Sequence, residues 1–377
     1  MTLLATIGLI CSFVYAIAGF AAAIGILRSP RPRALRDDAL PFASVLVSAR
    51  NEEHDLPRCL QGLAALDYPH DRLEILLVDD RSTDRTGAII AEACLRYPHF
   101  RALDTADYPT HLEAKSRGIA FAASRARGEW LFITDADALV HPRWLRTLLG
   151  RADDDVAILT GPAFTEASSW VGLLERATIV PATSISFGAD GYGADVVPIG
   201  PNMAIRRSVY EAQGGLASVK FRIAEDIALW QLGRRAGMRV RAVLEPESTV
   251  LMRPVPSLIH LISQQRRWLV GGFGDGPAHI RWASIGVATW AFVGTTSVLA
   301  ACAFGLPAGL AGMGFLAMSQ LASMTALRQR LHLRSIWRIL PVSLAYSSAL
   351  FVWLPMTAFL LPNVRWRGEG YEVRFTE

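Results

Sequence analysis

The sequence predicts an α/β domain with a mixed, mostly parallel sheet, flanked by apolar helices at both ends. Three observations carry this. Residues 3–27 hold no charge. Between residues 43 and 276, short β-rich runs alternate with helical stretches, and acidic residues follow the runs. After residue 276 the apolar character returns. Hydrophobic residues make up 51% of the 377, a share that points to membrane segments rather than to a wholly soluble chain.

Residues 1–27 are long enough to cross a hydrocarbon core of ~30 Å. Arg28, Arg31, Arg33 and Arg36 follow at once, so the positive-inside rule puts the N-terminus outside and the next domain in the cytoplasm. A cleaved signal peptide ending near Ala21 is the alternative, but the stretch is long and lacks a basic start.

Residues 28–250 read as the cytoplasmic domain. Runs at 44–48, 73–78 and 130–134 are strand-like; 56–66, 87–97 and 114–126 are helical. Strands alternating with helices predict a parallel sheet, whose ligands bind beyond the carboxyl ends of the strands.

Residues 251–281 read as an interfacial segment. Residues 282–361 read as three spans, at about 282–302, 306–326 and 340–361, with Gly305-Leu306-Pro307 turning between the first two. Arg328, Arg330, Arg334 and Arg338 read as a cytoplasmic loop. Counting spans puts the tail, 362–377, outside, whereas Arg365, Arg367 and Arg374 favour the inside.

Net charge is +4, and no dense basic tract suggests nucleic acid. Cys11, Cys59, Cys94 and Cys302 have no zinc spacing, which fits a reducing compartment. No Gly-x-Gly-x-x-Gly follows a strand and no P-loop occurs, so dinucleotide and ATPase readings lack support.

Four clusters carry chemistry, each beside a plainer reading. Asp79-Asp80 either opens a capped turn or accepts hydrogen bonds from a base or ribose. Asp135-Ala136-Asp137 is either a solvated turn or a hard-oxygen site for Mg²⁺ or Mn²⁺, the substrate phosphates completing the shell. Glu225-Asp226 either caps a helix or supplies a general base. Gln264-x-x-Arg267-Trp268 either snorkels at an interface or grips a pyrophosphate and a sugar.

In order and spacing, these clusters resemble the family 2 glycosyltransferases, which have the Rossmann-like GT-A fold. Ser48-Ala49-Arg50-Asn51-Glu52-Glu53 is similar to that family's first-strand signature. Leu77-Val78-Asp79-Asp80-Arg81-Ser82-Thr83-Asp84 matches its Val-Asp-Asp pattern, with Arg81 where glycine is usual. Lys115 stands at the family's lysine, after Ala114 instead of glycine. Ala126-Arg127-Gly128-Glu129-Trp130 leading to Asp135-Ala136-Asp137 matches, as does Gly200-Pro201-Asn202-Met203-Ala204-Ile205-Arg206. The Gln-x-x-Arg-Trp element resembles that of processive synthases and of ceramide glucosyltransferases. The span layout and the tail Trp366-Arg367-Gly368-Glu369-Gly370-Tyr371 look closer to the latter.

The resemblance implies an inverting transfer from a nucleotide-sugar donor, UDP being commonest, in an integral membrane protein of a bacterial-type inner membrane. It implies Asp226 as base, with Glu225 beside it. Ala49, Glu52, Asp79, Asp80, Lys115, Asp135, Gln264, Arg267 and Trp268 would hold the donor, and Asp137 with Asp135 the metal. Asn202 and Trp268 would face a lipid acceptor. A processive polysaccharide synthase and a non-catalytic nucleotide-binding scaffold are the competing expectations.

Overall fold

The computed structural model describes residues 2–106, 108, 110–220, 224–274, 278–333, 338–346, 363–366 and 369–372. Helix α1 (Thr2–Arg28) leads into β1 (Ala43–Ala49), α2 (Leu56–Ala64), β2 (Leu73–Asp79), α3 (Thr86–Arg96) and β3 (Phe100–Asp104). Next come α4 (Ala114–Arg125), β4 (Trp130–Asp135), β5 (Ala138–Leu139), α5 (Trp144–Leu149), β6 (Val156–Thr160) and β7 (Ala163–Thr165). Helix α6 (Trp170–Gly188), β8 (Met203–Arg206), α7 (Arg207–Ala212), α8 (Glu225–Arg235), β9 (Arg239–Ala242) and β10 (Val250–Met252) complete the sheet domain. Helices α9 (Leu258–Gly274), α10 (Ala278–Ala303) and α11 (Pro307–Leu331) follow, then a hairpin of β11 (Asn363–Trp366) and β12 (Glu369–Glu372).

Strands β1, β2 and β4 are near-continuous apolar runs because both faces of the sheet are covered. The order is β3-β2-β1-β4-β8-β6-β9, with β8 antiparallel to β4 and β6. The chain leaves β1 toward β2 on one side and returns as β4 on the other. Such a reversal opens a crevice at the carboxyl edge. The register puts Ala49 beside Asp79 and Ser48 beside Asp135, so residues of three motifs share that edge. A small sheet, β5-β10-β7, packs alongside.

Helices α1 and α11 are each long and apolar enough to cross a membrane. Small residues carry their packing. A Cβ on Gly19 would overlap Ser319, and one on Gly25 would overlap the Gly188 carbonyl, so α6 and α11 press directly on the α1 backbone. Polar contacts then fix the base of α1 to the sheet domain. Ser29 donates to Asp190 at 2.6 Å, Arg151 pairs with Asp190 at 3.2 Å, and Tyr192 donates to the Ala21 carbonyl at 2.8 Å.

Helix α11 runs on through Arg328 and Arg330, residues expected in a loop. The reason is tertiary: the Arg330 side chain is buried, donates to the Leu244 carbonyl at 2.8 Å and pairs with Glu245 at 2.9 Å. Gly305, at φ +67°, makes the turn into Pro307. The expected third span, 340–361, lies mostly outside the described residues.

Candidate active site

Two loops at the carboxyl edge are laced together by side-chain-to-backbone bonds. Asn51, left-handed at φ 56°, accepts from the Thr83 amide at 2.8 Å. The Glu52 amide donates to Thr86 at 2.8 Å, and the Glu53 amide to Asp84 at 3.1 Å. Asp79 accepts from the Ser82 amide at 3.0 Å, and its other oxygen lies against Gly87, where a Cβ has no room. Glu52, Asp79 and the buried Ala49 therefore stand on one rigid rim.

Asp80 sits differently from the expectation. It is 1% exposed, and its carboxylate accepts from Thr105 at 2.7 Å and from Arg117 at 2.8 and 3.2 Å. The carboxylate expected on the nucleoside thus ties the rim to α4. Arg117 carried no sequence signal, since an arginine in a helix reads as a solvated face.

Asp135 ends β4, and Lys115 reaches it from the first turn of α4. The Lys115 ammonium lies 2.6 Å from Asp135 Oδ1 and 2.6 Å from Glu225 Oε1. Burial acts to lower the Lys115 pKa, but the Asp135 and Glu225 charges outweigh it and the pKa is raised, so the lysine stays charged. Beneath this group the Cys59 thiol donates to the Asp135 carbonyl at 3.5 Å. Burial pushes its pKa up, and the Asp137, Asp135 and Glu52 charges add to the effect.

Asp226 opens α8. It accepts from the Ile227 amide at 2.8 Å and the Gly200 amide at 3.2 Å. A Cβ on Gly200 would lie 3.1 Å from Glu225, 3.4 Å from Asp226 and 3.5 Å from Lys115, so these groups form one cluster. Burial first, and the Glu225 charge second, raise the Asp226 pKa to about 7, against the pull of both amides and of Lys115. A carboxylate poised there can accept a proton from an alcohol near neutral pH.

Asn202 is built into the scaffold instead of facing an acceptor. It is fully buried; Trp144 donates to its Oδ1 at 2.8 Å, and its Nδ2 donates to the Pro162 and Ser248 carbonyls at 2.7 Å each. Both of its amide N–H donors are spent, and its oxygen is engaged by Trp144.

Gln264, Arg267 and Trp268 lie on α9. Trp268 is half exposed. Glu175 of α6 drew no functional reading from the sequence, yet it is buried beside the lead into α9. Glu175 is 2% exposed, accepts from the Val255 amide at 3.4 Å, and has its pKa raised by burial. Its signal was there: a lone acid inside an apolar helical run needs buried partners.

Asp135 and Asp137 offer hard oxygens of the type Mg²⁺ and Mn²⁺ take. Among the described residues no group of three or more ligating side chains occurs. Two carboxylates suit an ion whose remaining ligands are phosphates and water, so the donor set fits.

A family model, glycosyl transferase family 21, matches residues 4–377. The probable glycosyltransferase YdaM of Bacillus subtilis is 32% identical over 182 residues, 47% of this chain and 43% of that protein. A beta-monoglucosyldiacylglycerol synthase of Synechocystis is 26% identical over 267 residues, 64% of this chain and 50% of that protein. The chain thus spans about half the length of the curated relatives it matches. Among solved structures, the mannosyltransferase PcManGT from Pyrobaculum calidifontis, in complex with GDP-Man and Mn²⁺, superposes with a TM-score of 0.57 at 20% identity, covering 93% of this chain and 99% of that one. That likeness shows the shared fold, a GT-A glycosyltransferase sheet. The family match runs over nearly the whole sequence and includes every motif at the carboxyl edge: the chain belongs to glycosyl transferase family 21.

Proposed function

We propose that the protein transfers one sugar from a nucleotide-sugar, with UDP as the nucleotide, to the hydroxyl of a membrane lipid, inverting the anomeric carbon. One observation carries this reading. Asp226, with its pKa raised to about 7, shares a cluster with Lys115 and Asp135 at the carboxyl edge of the sheet. That sheet is docked on helices long and apolar enough to enter a bilayer. The name of the Synechocystis relative, for a glucosylated diacylglycerol, supports a lipid acceptor.

Asp226 takes the proton of the acceptor hydroxyl, and the oxygen attacks the anomeric carbon opposite the diphosphate. The bond from that carbon to the phosphate oxygen breaks, with no sugar–enzyme intermediate. Lys115 and the positive end of α8 stabilise negative charge beside the reacting groups. A divalent ion held by Asp135 and Asp137 offsets the diphosphate charge when bound. The catalytic domain lies on the cytoplasmic side, where nucleotide-sugars are available.

The test is transfer by the purified protein in lipid nanodiscs, with UDP-glucose and diacylglycerol or ceramide, read by mass spectrometry. One added hexose, lost in Asp226→Asn and in excess chelator, is the expected result. Chains of several sugars favour a processive synthase, and no transfer from any nucleotide-sugar overturns the enzyme reading.

A further inference from the structure

Asp80, the acid expected on the nucleoside, is held inside the domain by Thr105 and Arg117. The next residue, Arg81, faces the other way. Its Nε lies 3.8 Å from Asp80 Oδ1, beyond hydrogen-bonding distance, and its side chain is 44% exposed. Its backbone is left-handed, at φ 59°. The lacing of the two loops imposes this conformation. Asp79 takes the Ser82 amide at 3.0 Å, and Ser82 Oγ takes the Asn51 amide at 3.1 Å, which fixes the chain on either side of Arg81. Glycine meets such a turn without strain, whereas an arginine there is strained. Strained positions cluster where a protein holds a ligand.

The sheet register places Arg81 relative to the chemistry. Asp79 is level with Ala49, and Ser48 with Asp135, so the ends of β2 and β4 stand two strand spacings, ~10 Å, apart. With a diphosphate beside Asp135 and Asp137, a nucleoside laid along the crevice brings its base to the end of β2. Arg81 stands just past that end. It therefore meets the edge of the base that lies farthest from the sugar. A guanidinium donates and accepts nothing. On that edge a carbonyl oxygen suits it, and an amino group does not.

We propose that Arg81 reads the base of the donor by donating to the O4 carbonyl of uracil. Arg81 then sets the choice of nucleotide and takes no part in moving the sugar. The strain of its backbone is the cost of presenting a guanidinium where glycine would present nothing. The inference rests on the nucleotide-sugar reading of this site.

The full-length protein in lipid nanodiscs, with Mg²⁺, is titrated by calorimetry with UDP and with CDP, which carries an amino group in place of that carbonyl. The wild type should hold UDP the tighter. Arg81→Gly should weaken UDP about tenfold to hundredfold, the loss of one hydrogen bond from a charged donor, and should leave CDP within about twofold. The variant should melt no lower than the wild type, because glycine accepts the left-handed backbone. Unchanged UDP affinity overturns the proposal. So does an equal loss for UDP and CDP, the mark of a charge felt by the diphosphate. A lower melting temperature also overturns it, since Arg81 would then be a support for Asp80. Failure of the nucleotide-sugar reading shows separately, as a wild type that binds no nucleoside diphosphate.

Discussion

The Lys115 ammonium lies 2.6 Å from the Asp135 carboxylate, on an acid the motif assigns to metal and donor. Its second contact, to Glu225, links the start of α4 to the start of α8 across 110 residues of chain. The lysine is the internal counter-ion of the site, and without it several acids face one another.

Lys115→Met should therefore cost about 3 kcal/mol of stability, since it leaves partly buried carboxylates uncompensated. Denaturant unfolding measures this. Added Mn²⁺ should restore more stability to the variant than to the wild type, because Asp135 is then free for the ion. Equal Mn²⁺ effects in both proteins would refute the counter-ion role.

Asp226 sets a pH dependence of defined sign. With its pKa raised to about 7, the base is ionised above that pH, so kcat should fall about tenfold per unit below it. Between the ordinary carboxylate range and about pH 7 the folded chain keeps a proton that the unfolded chain has lost. Stability therefore decreases as pH rises through this window. Asp226→Asn should abolish transfer, by at least ~10²-fold, yet melt higher than the wild type at pH 8. A variant less stable than the wild type at pH 8 contradicts the buried, strained carboxylate.

Glu175 should act on the donor by anchoring Val255, at the lead into α9. Glu175→Ala removes the acceptor of the Val255 amide, just ahead of the helix that carries Gln264, and should raise the donor KM about tenfold with little change in kcat. Glu175→Gln keeps an acceptor oxygen and should recover most of the loss. Steady-state kinetics at varied donor concentration decide it: a pure kcat effect would mean Glu175 does not position α9 for the donor.

Gly25→Leu should detach α1 from α6, because its side chain must enter the space of the Gly188 carbonyl. The expected loss is at least ~1–3 kcal/mol, read as a lower melting temperature and faster proteolysis between α1 and β1. Gly286, where a Cβ meets nothing within 4 Å, serves as the control: Gly286→Ala should be neutral or slightly stabilising. Equal melting temperatures for Gly25→Leu and the wild type would contradict close backbone packing.

By itself the sequence determined the central strands, the first apolar helix and the acids at the carboxyl edge. Each is a local signal: Val45–Val47 and Leu76–Val78 are apolar because both faces of a strand are covered, and residues 3–27 form an uncharged run long enough to cross a membrane. Only the tertiary structure decided which partners those residues meet. Arg117 takes Asp80, Asn202 bonds to Trp144, Glu175 takes the Val255 amide, and Arg330 extends α11 onto Leu244. Periodicity reports that a residue is buried, but the group that satisfies it comes from a distant part of the chain. The four-residue β8 escaped the sequence for the same reason: it is too short for a local pattern, and its antiparallel place between β4 and β6 exists only once those strands are assembled.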